Sequence, residues 1–141
     1  MKDVIQKEHT FNHSIDKVWK AITNAEEIST WFLSADFKPE VGYQYTFTSE
    51  SEHCEPIFGE VKEANPYKLV YTWIVTGTKT VTTVTWQLES IENGTKLYLE
   101  HSGISNYEGE TAIVMFENFS GGWSNCINLL TNYLKELVNA G

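Results

Sequence analysis

From Ser120 to the C-terminus, Trp123, Ile127, Leu130, Leu134 and Leu137 recur at alternating spacings of four and three residues, which puts them on one side of an α-helix. Cys126, Tyr133 and Val138 widen that apolar stripe, and Asn125, Asn128, Asn132, Lys135 and Glu136 lie opposite it. A helix of this kind gains its stability from burying the stripe against another element. What the rest of the chain offers as a partner therefore decides the fold.

The middle of the chain offers a sheet. Tyr43, Tyr45 and Phe47 alternate with Gln44 and Thr46, giving a strand with one aromatic face. Further runs follow over Ile57 to Glu63, Leu69 to Val75 and Thr80 to Leu88. In the last of these Val84, Trp86 and Leu88 share one face and Thr83, Thr85 and Gln87 the other. Asn93-Gly94 is a strong hairpin signal into Thr95 to Gly103, where Leu97, Leu99 and His101 alternate with Lys96, Tyr98 and Glu100. Strands joined by such short turns pair antiparallel, because parallel pairing needs a crossover. The aromatic face is the natural partner of the C-terminal stripe.

Upstream, Val4 to Phe11 reads as an opening strand with imperfect alternation. Ser14 can cap a helix carrying Ile15, Val18, Trp19 and Ile22, and Asn24 with Glu27 fits a capping box for a second helix with Ile28, Trp31 and Phe32. Residues 104–119 have two readings: a short helix capped by Thr111 and ending near Phe116, with Gly121-Gly122 as a kink or break, or a flap over one mouth of the interior. Residues 1–141 make one α+β domain: a strand, two short helices, a curved antiparallel sheet and a long C-terminal helix packed across it.

Charge narrows the partners. There are 19 acidic residues against 10 basic ones, all lysine, for a net charge of −9. Without arginine there is no planar fork to grip phosphate, and the lysines form no stripe, so nucleic acid and anionic lipid are both disfavoured as partners. No apolar run is long enough to span a bilayer, and the N-terminus lacks a signal-peptide pattern, so a cytoplasmic location is expected. Cys54 and Cys126 are then expected as free thiols.

The motifs taken together resemble a known family. Val18-Trp19, Trp31-Phe32, Val41-Gly42, Gly59-Glu60-Val61, Pro66 with Leu69-Val70-Tyr71-Thr72-Trp73, Gly94-Thr95-Lys96-Leu97, His101-Ser102-Gly103 and Gly122-Trp123 occur in its order over nearly the whole chain. The sequence is similar to the activator of heat-shock-protein-90 ATPase homologue family, within the START and birch-pollen-allergen superfamily of helix-grip folds. The resemblance implies a sheet of six to seven strands wrapped around the C-terminal helix with a cavity between them. Superfamily members hold lipids, sterols, polyketides or hormones there, some have become cyclases or hydratases, and the family's namesake stimulates a chaperone ATPase.

Trp31, Phe32, Tyr45, Phe47, Tyr71, Trp73, Trp86 and His101 are the expected pocket wall, with core packing as the competing role for each. Trp19 and Trp123 are expected in the core proper. His101, on the face toward the helix, suits either a structural histidine or a group that orients a carbonyl or takes a proton, and the structural role is favoured. Catalytic residues are not expected: no nucleophile elbow, carboxylate pair or metal-ligand spacing is present, Glu60, Glu89 and Glu100 point outward, and no cofactor is implied. The acidic stretch of Glu50, Glu52 and Glu55 around His53 and Cys54 reads as a solvated hairpin loop. The leading functional expectation is non-catalytic binding of a small apolar or amphipathic molecule. The alternatives are a chaperone cofactor acting by contact and a cyclase or hydratase using His101.

Overall fold

A computed structural model describes residues 3–48 and 56–140, without the side chains of residues 137–140. The acidic hairpin stretch and the side chains of Leu137 and Val138 lie outside this description. The element order is β1 (Ile5–Phe11), α1 (Ile15–Thr23), α2 (Ala25–Trp31), β2 (Ser34–Asp36), β3 (Gln44–Thr48), β4 (Ile57–Asn65), β5 (Lys68–Val75), β6 (Thr82–Ile91), β7 (Gly94–Ser102), a short 3₁₀ turn (Ile104–Asn106) and α3 (Gly109–Ala140). The strands form one antiparallel sheet in the order β1-β7-β6-β5-β4-β3-β2.

The two short helices carry the chain from one edge of this sheet to the other, since β1 and β2 are its opposite edges. Their caps follow the sequence in part. Ser14 Oγ accepts from Lys17 N–H at 3.3 Å, and Asn24 Oδ1 accepts from Glu27 N–H at 3.1 Å. The reciprocal half of a capping box is not formed, because the Asn24 N–H already closes α1 on the Lys20 carbonyl. The Glu27 carboxylate turns instead to α3, where it accepts from the Tyr133 hydroxyl at 2.9 Å.

Alternation within the strands places Tyr45 and Phe47, Leu69, Tyr71 and Trp73, Val84, Trp86 and Leu88, and Leu97, Leu99 and His101 on the buried face. Glu60, Glu89 and Glu100 lie on the opposite face, as expected. The sheet bends where β4 meets β5, with a one-residue shift of register between Val61 and Glu63. There the Thr72 carbonyl comes so close to Gly59 that a Cβ on that glycine would lie 2.2 Å from it, so only glycine permits the approach.

Three features depart from expectation. The β6–β7 turn is made by Glu92-Asn93 rather than Asn93-Gly94. Asn93 takes the positive φ of 69°, while Gly94 pairs with Ile91 as the first residue of β7, its missing side chain leaving room for the Phe11 carbonyl. β2 has no legible pattern in its three residues and was not anticipated. The long helix begins at Gly109, eleven residues before Ser120, and runs unbroken through Gly121-Gly122. Residues 104–119 are thus a 3₁₀ turn followed by the first part of α3, and the expected break is absent.

Neither glycine of that pair is required by packing, since a Cβ on each would meet nothing within 4 Å and neither has a positive φ. Glycine in a helix interior costs about 1 kcal/mol relative to alanine. The double variant Gly121→Ala/Gly122→Ala should therefore raise the free energy of urea unfolding by roughly 1–2 kcal/mol. A decrease would mean that α3 is bent at this point.

Candidate functional site

Seven of the eight expected wall residues are buried, and Phe32 is half-buried against them. Ring contacts join them into one cluster. Trp31 stacks on Phe32 at 5.2 Å between centroids, Phe32 meets Phe47 at 5.7 Å, and Phe47 meets Tyr45 at 4.8 Å and Trp73 at 6.4 Å. Tyr71 lies 5.0 Å from Tyr45, and Trp73 lies 5.6 Å from His101. Trp86 joins through Trp123 of α3, 5.9 Å away.

Trp123 is the hub of this cluster as well as a core residue, touching Phe32, Trp73, Trp86 and His101. Trp19 departs from expectation. It is only half-buried, at the rim of the core, with its ring edge-on to Tyr67 at 5.9 Å.

The polar atoms of the cluster are almost all closed on one another. Trp31 Nε1 donates to the Ala21 carbonyl at 2.9 Å, and Trp86 Nε1 donates to the Tyr71 hydroxyl at 2.9 Å. The Tyr45 hydroxyl donates to the Thr72 carbonyl. Burial pushes both tyrosine hydroxyls, and the thiol of the free Cys126, far above their ordinary pKa, so all three stay protonated.

His101 is 0% exposed, and its tautomer follows from its neighbours. Trp123 Nε1–H, which can only donate, points at His101 Nδ1 at 2.9 Å, so Nδ1 carries the lone pair. Nε2 therefore carries the proton and donates to Thr82 Oγ1 at 2.7 Å, and that hydroxyl donates onward to the Trp73 carbonyl at 3.2 Å. Burial lowers the pKa of this imidazole to about 4. The arrangement leaves His101 no free nitrogen with which to orient a ligand or take a proton. Among the described residues, no group of three or more His, Cys, Asp or Glu side chains is placed to hold a metal ion.

Sequence reasoning missed several members of this region. Phe37, just after β2, lies within about 6 Å of the Tyr45, Phe47 and Tyr71 rings. Phe119 of α3 stacks on His101 at 4.7 Å and meets Trp73 edge-on at 6.2 Å. The correct helix start would have put Phe119 on the same face as Trp123, four residues on. The imperfect alternation of β1 also has a cause: its inward positions include Lys7, which donates to Ser120 Oγ at 3.1 Å, and His9, 3.3 Å from Thr131 Oγ1. The edge strand thus meets α3 with polar groups where the inner strands use aromatic ones.

Among the described residues, two surface hollows are lined by none of the eight wall residues. One of about 650 Å³ crosses the outer face of the sheet past Glu8, Lys68, Gln87 and Tyr98. The other, of about 350 Å³, lies between the start of α1 and the β6–β7 turn.

His101 has a pH consequence. Its folded pKa is depressed, so its contribution is intact above the unfolded value of about 6.5 and is lost as pH falls toward about 4, because the unfolded state takes up the proton first. This group alone should remove about 3 kcal/mol of stability across that window. Urea titrations from pH 7 to 4, compared with His101→Gln, should show the extra slope only in the wild type. An imidazole NMR signal already shifting at pH 6 would contradict the assignment.

Comparison with known proteins places this geometry. The family model described as Activator of Hsp90 ATPase homolog 1-like protein matches residues 12–135. Among solved structures, a Mesorhizobium loti protein superposes with a TM-score of 0.83 at 25% identity, covering 94% of this chain and 97% of that one. A Bacillus halodurans protein shares 31% identity with a TM-score of 0.76, covering 94% and 96%. An Hsp90 activator from Plasmodium falciparum shares 25% identity with a TM-score of 0.71, covering 88% and 89%. No curated protein matches the chain significantly. With a match over most of its length, and a seven-stranded sheet closed by one long helix, the chain belongs to the Activator of Hsp90 ATPase homolog 1-like protein family.

Proposed function

We propose that the protein binds a small apolar or amphipathic molecule, without catalysis, between the aromatic face of the sheet and the first half of α3. The observation that carries this reading is the uneven anchoring of that helix. Residues 123–134 bury Trp123, Cys126, Ile127, Leu130 and Leu134, whereas over residues 109–122 only Ala112 is buried. Met115, Phe116 and Phe119 are half-buried there, and Ile113 and Val114 remain 55% and 54% exposed. The helix is thus firmly seated at one end and thinly seated over the aromatic cluster at the other. A segment held by few buried contacts opens at low free-energy cost, and this one covers apolar surface when closed.

The energetics suit such a role. Burying about 200 Å² of apolar ligand surface contributes roughly 5 kcal/mol before association costs. Micromolar affinity, about 8 kcal/mol net, therefore calls for roughly 500 Å² of apolar surface buried across ligand and wall together. Trp31, Phe32, Tyr45, Phe47, Tyr71, Trp73, Trp86 and His101 would form the wall, with Phe119 as the closing side chain. His101 would act as structure, because both of its nitrogens are engaged.

Nile red, an uncharged apolar dye, should bind one-to-one with a dissociation constant near micromolar and quench tryptophan emission. The Gly121→Ala/Gly122→Ala variant should bind it more slowly, by stiffening the cover. Absence of saturable binding by the wild type would sink the proposal.

The family match, together with the similarity to a Plasmodium falciparum Hsp90 activator, supports a second reading, contact with a chaperone. On the binding reading, saturating amounts of this protein should leave the ATPase rate of its own host's chaperone unchanged. Stimulation would favour the contact role.

A further inference from the structure

Four indoles enter the aromatic cluster, and three have their N–H groups closed: Trp31 on the Ala21 carbonyl, Trp86 on the Tyr71 hydroxyl and Trp123 on His101 Nδ1. The fourth does not. Trp73 is 6% exposed, and its Nε1 is buried with no hydrogen-bond partner among the described residues. A buried donor left unpaired costs about 1–3 kcal/mol, and native proteins rarely leave one without a reason. The Trp73 backbone carbonyl, by contrast, is engaged, receiving the Thr82 hydroxyl at the end of the chain from His101.

The position of this donor is specific. The Trp73 ring lies against Phe47, His101, Trp123 and Phe119. Phe119 belongs to the thinly anchored half of α3, so displacing that segment takes one of the four rings off the indole that carries the unpaired N–H. Each of these four neighbours is uncharged, His101 because its Nδ1 is already an acceptor for Trp123. Lys7, a cation on the inner face, is turned to Ser120 at the β1 edge. A carboxylate brought here would lose several kcal/mol of hydration, more than a single N–H returns. A neutral acceptor loses far less and relieves the unpaired donor.

We propose that Trp73 Nε1–H is the specificity-determining donor of the site, selecting an uncharged, largely apolar ligand that carries a carbonyl-type acceptor. This rests on the binding reading above and narrows it to a ligand class. It moves the polar anchor from His101, which the sequence makes conspicuous, to an indole that the sequence does not distinguish from its neighbours.

Three probes of one ring skeleton test it by calorimetry: tetralin, α-tetralone and tetralin carboxylate. The wild type should bind the ketone about ten-fold more tightly than the hydrocarbon, with the carboxylate weakest. In Trp73→Phe the ten-fold preference for the ketone over the hydrocarbon should vanish, whatever the smaller ring does to the affinity for both. A purely structural role for Trp73 would weaken both alike. In the wild type the Trp73 indole N–H cross-peak should move downfield with the ketone and stay in place with the hydrocarbon, which needs no variant to fold. Equal affinity for ketone and hydrocarbon, an unmoved cross-peak with bound ketone, or preference for the carboxylate would overturn the donor role while leaving ligand binding intact. No binding of any probe by the wild type would overturn both.

Discussion

The hydrogen bond from Trp123 Nε1 to His101 Nδ1 joins the long helix to the sheet at the centre of the molecule. It lies inside a shell of aromatic rings, where a low local dielectric strengthens a made bond and makes an unmade one expensive. It fixes the rotation of α3, because only one face of the helix can present Trp123 to β7. It also fixes the protonation of His101, and through Thr82 it ties β7 to the end of β5. The apolar stripe alone would let the helix slide over an aromatic floor, whereas one directional bond sets its position.

From that point α3 behaves as two segments. From Trp123 to Leu134 each turn buries a large side chain, and Tyr133 reaches Glu27 of α2 to clamp the helix against the short helices. Toward the N-terminus the helix crosses the same aromatic cluster with half-buried side chains and two glycines at the junction. The difference does not come from local helix propensity, which is continuous enough for one uninterrupted helix. It comes from packing, since residues 123–134 bury Trp123, Cys126, Ile127, Leu130 and Leu134 and residues 109–122 bury Ala112 alone.

Much of this was legible. The strands followed from alternation at Tyr45 and Phe47, at Val84, Trp86 and Leu88, and at Leu97, Leu99 and His101, because a half-buried sheet imposes a period of two on its side chains. The caps at Ser14 and Asn24 followed from local hydrogen-bond chemistry. The start of α3 did not, because Gly121-Gly122 imitates a break when the helix is judged residue by residue. β2 and Phe37 were invisible for another reason: a three-residue edge strand has too few positions to show a period, and Phe37 owes its burial to the strands that fold over it.

The sequence by itself determined the class of the fold, the buried face of the strands that alternate clearly, the stripe of the helix that covers them and the family these features share. Periodicity and capping are local and survive in a one-dimensional string. Only the tertiary structure decided which polar atoms are satisfied. Four indoles that the sequence cannot rank as donors become three closed ones and one open one, and a histidine with two candidate roles becomes a neutral strut. Those outcomes depend on which acceptor lies within about 3 Å of each nitrogen, a relation among residues far apart in the chain that no spacing along it encodes.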